Sequence, residues 1–163
     1  MRNYKLTIEY NGLSYNGWQK QNYTDNTIQD QIEIAIKRIL KTDVKLIGAG
    51  RTDTKVSALN QVANFTFEKK IDFNKFLHSL NSVLPETISI KKISEVPLSF
   101  HSRYSAKKRE YIYKITTVKR AVCGNFHYRI NYLPDFSKID EFIERIKKSD
   151  NFYSFCKNKS DIR

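Results

Sequence analysis

Apolar and polar side chains alternate from the start of the chain: Tyr4, Leu6, Ile8 and Tyr10 fall on one side, Lys5, Thr7 and Glu9 on the other. That period of two predicts a β-strand with one face buried. The period then changes. Ile28, Ile32, Ala35, Ile36 and Ile39 recur at helical spacing, Thr27 is suited to the N-cap and Asp30 to the first turn, so a helix is expected to about Lys41. Val44 to Ile47 is a short run closed by Gly48-Ala49-Gly50, and Val62 to Glu68 sets Ala63, Phe65 and Phe67 on one side of a longer strand.

Asp72 can cap a second helix whose stripe is Phe73, Phe76, Leu77, Leu80 and Leu84, and Pro85 stops it. Ile88 to Ile93 reads as a fourth strand. The order β-α-β-β-α-β is the split βαβ, or ferredoxin-like, arrangement. It predicts an α+β fold in which a four-stranded antiparallel sheet carries both helices on one face and leaves the other for a partner.

Farther along, Arg109 to Thr117 reads as another strand, and Ile139, Phe142, Ile143 and Ile146 as another helix beginning near Asp135 or Ser137. A strand and a helix alone cannot bury both their apolar faces. Two organisations follow. Residues 1–98 form a ferredoxin-like domain and residues 99–163 the beginning of a second, incomplete α/β domain in a fragment of a longer protein; or the extra strand extends the first sheet and the helix packs on its back.

Composition narrows the function classes. A chain of 163 residues, 40% hydrophobic and 28% charged with 5 Gly and 3 Pro, is long enough for one real core and unlike disordered or low-complexity sequence. Lys and Arg number 29 against 17 Asp and Glu, a surplus of +12 that points to a polyanion such as nucleic acid. Because 20 of the 29 are Lys in a chain also rich in Ile and Asn, codon bias is the competing source, and clustering has to decide. Arg103, Lys107, Lys108, Arg109, Lys114, Lys119 and Arg120 fall in one stretch whose single acid is Glu110. Cys123 and Cys156 form no C-x-x-C, and His78, His101 and His127 have no metal-ligand spacing, so neither a disulfide scaffold nor a metal site is expected. Met1-Arg2 leads directly into the alternating segment without an apolar leader, and no stretch has the apolar length of a membrane span, which predicts a cytoplasmic protein with no membrane partner.

Three clusters carry candidate chemistry. Gly48-Ala49-Gly50-Arg51-Thr52-Asp53 lies between two strands, where a loop projects groups from a rigid sheet. It lacks the G-K-[ST] of a phosphate loop and the spacing of a dinucleotide fingerprint, and offers a carboxylate, Asp53, beside a guanidinium, Arg51. On residue chemistry alone Asp53 is either a turn-capping acid or a catalyst. Tyr10 to Gln21 mixes turn residues, aromatics and amides, which either bind bases or close a hairpin. Phe100 to Tyr113 interleaves aromatic rings with cations, as RNA-stacking surfaces do, although Tyr111 and Tyr113 also suit the core face of a strand.

In this order the clusters resemble the TruA-type tRNA pseudouridine synthase family. Tyr10 to Gln21 is similar to its Y-D-G-x-x-Y-x-G-W-Q-x-Q opening, with Asn11 where Asp is usual; Gly48 to Asp53 matches G-A-G-R-T-D in full, continuing through Val56, Ala58 and Gln61 to Phe65. Phe100, His101, Arg103, Ser105, Ala106, Arg109, Tyr111 and Tyr113 resemble F-H-A-R-x-S-A followed by R-x-Y-x-Y, and Asn151 to Phe155 resembles D-F-x-S-F. The resemblance implies an isomerase, without a cofactor, that detaches uracil from ribose, rotates it and rejoins it through C5 in the tRNA anticodon stem-loop. It implies a base flipped from its stack. Asp53 would be catalytic, attacking base or sugar or taking a sugar proton. Arg51 would fill the vacated stack or pair with phosphate, Tyr111 would pack against the target base, and Arg103, Lys107, Lys108 and Arg109 would hold backbone phosphates. The resemblance also implies homodimers, tRNA as the partner and no metal.

Two departures stand out. After Asp53 the family pattern reads A-G-V-H-A, whereas here Thr54-Lys55-Val56-Ser57-Ala58 puts a lysine in the place of a glycine, whose backbone freedom it lacks. The family also has a later segment with a basic residue that pairs with the catalytic Asp, and this chain stops at Arg163 before it, so the 163 residues alone are expected to have little or no activity. The competing readings are a non-catalytic RNA-binding module of RRM topology, whose aromatic signature is missing from Val62-Ala63-Asn64-Phe65-Thr66-Phe67, and a ferredoxin-like interaction domain whose charge reflects codon bias.

Overall fold

Alternation in the first strand becomes a central sheet position. In a computed structural model, which describes residues 1–155, β1 (Arg2–Tyr10) is flanked on both sides, by β3 (Ala58–Phe67) and β4 (Ile88–Val96), and β2 (Ile47–Gly48) pairs with the outer edge of β3. Every pairing in this sheet is antiparallel and its order is β2-β3-β1-β4, the ferredoxin-like α+β topology that the element order predicts. Tyr4 faces Phe65 and Leu6 faces Ala63 across one ladder, and Leu6 faces Ile93 across the other. These residues share a core with the stripes of α1 (Ile28–Leu40) and α2 (Phe73–Val83), represented by Ile32, Ile36, Phe76 and Leu80. Both helices therefore lie on one face.

The helix ends follow the sequence. Thr27 caps α1, accepting from the Asp30 N–H and donating to its carboxylate, while Lys20 pairs with buried Asp30 at 2.7 Å. Asp72 caps α2.

Two strands differ from expectation. The run from Val44 to Leu46 does not join the ladder: Leu46 is buried, and its N–H and C=O go to the Glu33 and Gln29 side chains of α1, leaving a two-residue β2. The predicted strand from Arg109 to Thr117 shrinks to β5 (Ile115–Thr116), which pairs in parallel with β6 (Tyr128–Arg129). Only those residues find a ladder partner among the described residues.

Part of the face that the pattern leaves open is taken by the chain itself. Asn3 and Asn64 project from β1 and β3 away from the helices and are buried. Asn3 donates to the Pro97 and Phe100 carbonyls at 3.1 and 2.8 Å and accepts from Asn64, whose own side-chain oxygen receives the Ser102 N–H at 2.8 Å. A chain of buried amides thus ties the segment after β4 onto the sheet.

The chain divides into two compact units, Met1–Arg109 and Glu110–Arg163. In the second, β5 and β6 precede α3 (Phe136–Lys147), capped by Asp135. Cys123 is exposed and unpaired, whereas Cys156 and the polar run to Asp161 lie outside the described residues. Among the described residues no helix is long and apolar enough to cross a membrane, and no cluster of three or more His, Cys, Asp or Glu could hold a metal.

Candidate active site

The Gly-Ala-Gly-Arg-Thr-Asp segment leaves β2 and returns to β3 through a loop fixed from beneath by the β1–α1 connection. Trp18 donates its backbone N–H to the Thr52 carbonyl at 3.0 Å, the Lys55 N–H reaches the Tyr15 carbonyl at 3.3 Å, and the Gly12 N–H donates to Ser57 Oγ at 3.0 Å. Tyr10 and Thr52 share a hydroxyl–hydroxyl bond of 2.8 Å. Burial pushes the Tyr10 phenol above its ordinary pKa, with the Thr52 and Gln61 bonds pulling the other way.

Close approach depends on small residues. Gly17 has φ +92°, and a Cβ there would lie 2.7 Å from the Thr52 carbonyl; at Gly48 a Cβ would meet the buried Trp18 indole at 2.5 Å. The aromatic and amide cluster from Tyr10 to Gln21 is therefore a cradle for the Asp53 loop. Asn11, where the related pattern has Asp, accepts the Leu13 N–H at 3.1 Å, a turn that either side chain can make. Lys55, in the place of a glycine, adopts φ 67°, so the left-handed turn survives at a cost of roughly 1 kcal/mol. Ser57, in the place of a histidine, serves the Gly12 contact.

Other bonds hold the loop from its flanks. The Ala49 N–H donates to the Val62 carbonyl at 2.7 Å, and Gln61 donates to the Gly50 carbonyl at 2.8 Å. Arg109 directs Nε and Nη2 at the Ala49 carbonyl, at 3.2 and 2.7 Å, and Nη2 also at the Arg103 carbonyl, at 3.1 Å. On this fixed backbone the side chains of Arg51 and Asp53 are exposed, and neither makes a hydrogen bond or ion pair among the described residues. An exposed carboxylate on an immobilised turn is suited to act as nucleophile or base on a docked ligand.

The remaining expected residues fall in two places. Arg103, Lys107 and Lys108 are exposed in the first unit; the Arg103 guanidinium lies 5.8 Å from the Tyr104 ring centroid, and Tyr104 stacks on His101 at 4.3 Å. Tyr111 belongs to the second unit, where it is 78% exposed. That unit also holds a pocket of about 220 Å³ whose lining includes Lys119, Arg120, His127 and Arg129.

A model of the tRNA pseudouridine synthase family matches residues 6–105, which run from within β1 through β4 and contain the whole Asp53 loop. This chain belongs to that family. It is 47% identical over 163 residues to tRNA pseudouridine synthase A of Caldicellulosiruptor saccharolyticus, covering 99% of this chain and 66% of the relative. The protein of the same name from Caldicellulosiruptor bescii is 46% identical over 165 residues, covering 100% and 67%, and tRNA pseudouridine synthase A 2 of Bacillus cereus is 38% identical over 162 residues, covering 98% and 66%. The chain thus spans about two thirds of the length of the curated relatives it matches.

Family membership agrees with the resemblance drawn from the motifs. Sequence reasoning missed the supporting roles of Trp18 and Tyr10 beneath the loop and of Gln61 beside it, and it missed the Asn3–Asn64–Ser102 chain that seats the following segment. A usable signal was present for the amides, since Asn3 and Asn64 stand at positions facing away from the apolar side of strands rich in Tyr, Ile and Phe.

Proposed function

We propose that this chain carries the catalytic carboxylate of an isomerase that converts uridine to pseudouridine in tRNA, acting on the anticodon stem-loop and working as a homodimer in the cytoplasm. The observation that carries the reading is Asp53, exposed on a loop that lies within the residues matching the family and is bonded to β3, to the β1–α1 connection and to Arg109. Asp53 is the catalytic residue. Arg51 beside it enters the vacated stack or meets a phosphate, Arg103, Lys107 and Lys108 neutralise the backbone, and Tyr111 packs against the flipped base. Arg109, which the resemblance groups with the phosphate binders, is already engaged with two carbonyls. Residues 1–98 are read as the domain bearing the Asp53 loop and residues 99–163 as the beginning of a second.

The test is tritium release from tRNA carrying 5-tritiated uridine, because joining C5 to the ribose expels that hydrogen. It is run with this chain alone and with the chain joined to the part of the Caldicellulosiruptor saccharolyticus relative that it does not match. The joined protein should release tritium and the chain alone little. Asp53→Asn should abolish release while leaving tRNA binding within about 1 kcal/mol. Turnover by the Asn variant, or none from the joined protein, would overturn the assignment.

A further inference from the structure

Arg109 closes the basic run that begins at Arg103, yet its guanidinium turns onto the backbone. Two of its nitrogens converge on the Ala49 carbonyl, and one of them reaches the Arg103 carbonyl as well. The side chain passes close to Gly50, where a Cβ would lie 3.5 Å from its Nε and 3.7 Å from its Cδ. Ala49 stands four residues before Asp53 in the sequence, and its N–H is bonded to β3 through Val62 at 2.7 Å. The peptide groups on both sides of Ala49 are therefore held, one by the sheet and the other by Arg109. A planar fork suits this two-nitrogen grip, whereas lysine supplies one compact charge on a flexible stem.

On the isomerase reading above, we infer that Arg109 is a positioning residue, which ties the Asp53 loop to the segment from Phe100 to Arg109 and sets the direction of the carboxylate instead of neutralising a phosphate. The segment it anchors is itself fixed to the sheet by Asn3 and Asn64, so the grip connects the loop to an element seated on the opposite face from the helices. Misplacing a catalytic group by about 1 Å can lower a rate by about 100-fold, which is why such a tie matters to chemistry and not only to stability.

Arg109→Lys and Arg109→Ala separate the two roles, since lysine keeps the charge and loses the fork. Amide hydrogen exchange of this chain is the first readout. Exchange of the Ala49 amide, bonded to the Val62 carbonyl, and of the Trp18 amide, bonded to the Thr52 carbonyl of the loop, should rise at least about tenfold in both variants while that of β1 stays unchanged, because only the loop loses its anchor. Binding to tRNA across a salt series is the second. Affinity should stay within about threefold and its salt slope should not change, whereas losing a phosphate contact would reduce the slope by about one in the Ala variant and spare the Lys variant. In the joined protein both variants should lower kcat by about tenfold or more with little change in KM. A Lys variant that exchanges and turns over like the parent, or an Ala variant that loses one unit of salt slope, would overturn the inference. Absence of Asp53-dependent tritium release from the unaltered joined protein would instead refute the isomerase reading, and the exchange result would still judge the tie between Arg109 and the loop.

Discussion

Helices α1 and α3 are built alike and end differently. They have 13 and 12 residues, each begins on a side-chain cap, and each carries an apolar stripe at helical spacing. Yet α1 buries Ile28, Ile32, Ala35 and Ile36 to 3% exposure or less, while α3 leaves Phe136, Ile139, Phe142 and Ile143 between 38% and 62% exposed. The difference lies in what faces them. In the first unit a four-stranded sheet offers Tyr4, Leu6, Ile8 and Phe65 on one side; in the second, among the described residues, β5 and β6 have two residues each, and Ile115 and Tyr128 are themselves exposed. Periodicity chooses the face of a helix that is suited to burial, but the stabilisation comes only when another apolar surface removes that face from water.

The largest expected contrast follows directly. Leu6→Ala, in the middle of β1, should cost about 3 kcal/mol, whereas Phe142→Ala on α3 should cost less than about 0.5 kcal/mol, as measured by denaturant unfolding of each variant. Equal losses would mean that the two units share one cooperative core and would break the comparison. A smaller effect concerns left-handed residues. Lys41 at the end of α1 has φ 58° and Lys55 in the Asp53 loop has φ 67°, whereas Lys148 at the end of α3 has φ −90°. Glycine should raise stability by up to about 1 kcal/mol at Lys41 or Lys55 and should lower it at Lys148, read from the same unfolding curves.

The smallest effects are on pH, with opposite signs in the two units. Hydrogen bonds from Ser137 and Lys138 hold the Asp135 carboxyl below its ordinary pKa, so the stability it adds to α3 is present above that ordinary value and is lost as pH falls through the lowered one. The hydrogen bond and charge of Asp30 raise the Lys20 pKa, so that pair contributes below the ordinary lysine value and is lost as pH rises through the raised one. Helix-resolved NMR across a pH series should show α3 fraying first at the acid end and the start of α1 loosening at the alkaline end. The reverse order would show that these pairs do not govern the helix starts.

Much of the first unit was legible because its signals are local. Alternation at Tyr4 to Tyr10, the Thr27 and Asp72 caps and the stop at Pro85 each act within a few residues, and the sheet order follows from the chirality and short connections of the split βαβ unit. Asp53 was singled out only through the family motif that its loop resembles. The shortened β2 was not, because α1 side chains take the Leu46 backbone bonds that a ladder would otherwise use. Nor was the stunted β5, since nothing within the strand's own pattern reports how few of its residues find a partner.

The residues alone thus determined the helices and the ferredoxin-like order of the first unit, since propensity, capping and periodicity are properties of neighbouring positions, while Asp53 was singled out by the family motif that its loop resembles. Only the tertiary structure decided that Trp18 lies beneath that loop, that Asn3 and Asn64 seat the segment after β4, and that Arg109 grips Ala49. These contacts join residues far apart in sequence, and each exists because a buried or constrained backbone group must find its hydrogen-bond partner wherever the fold brings one within reach.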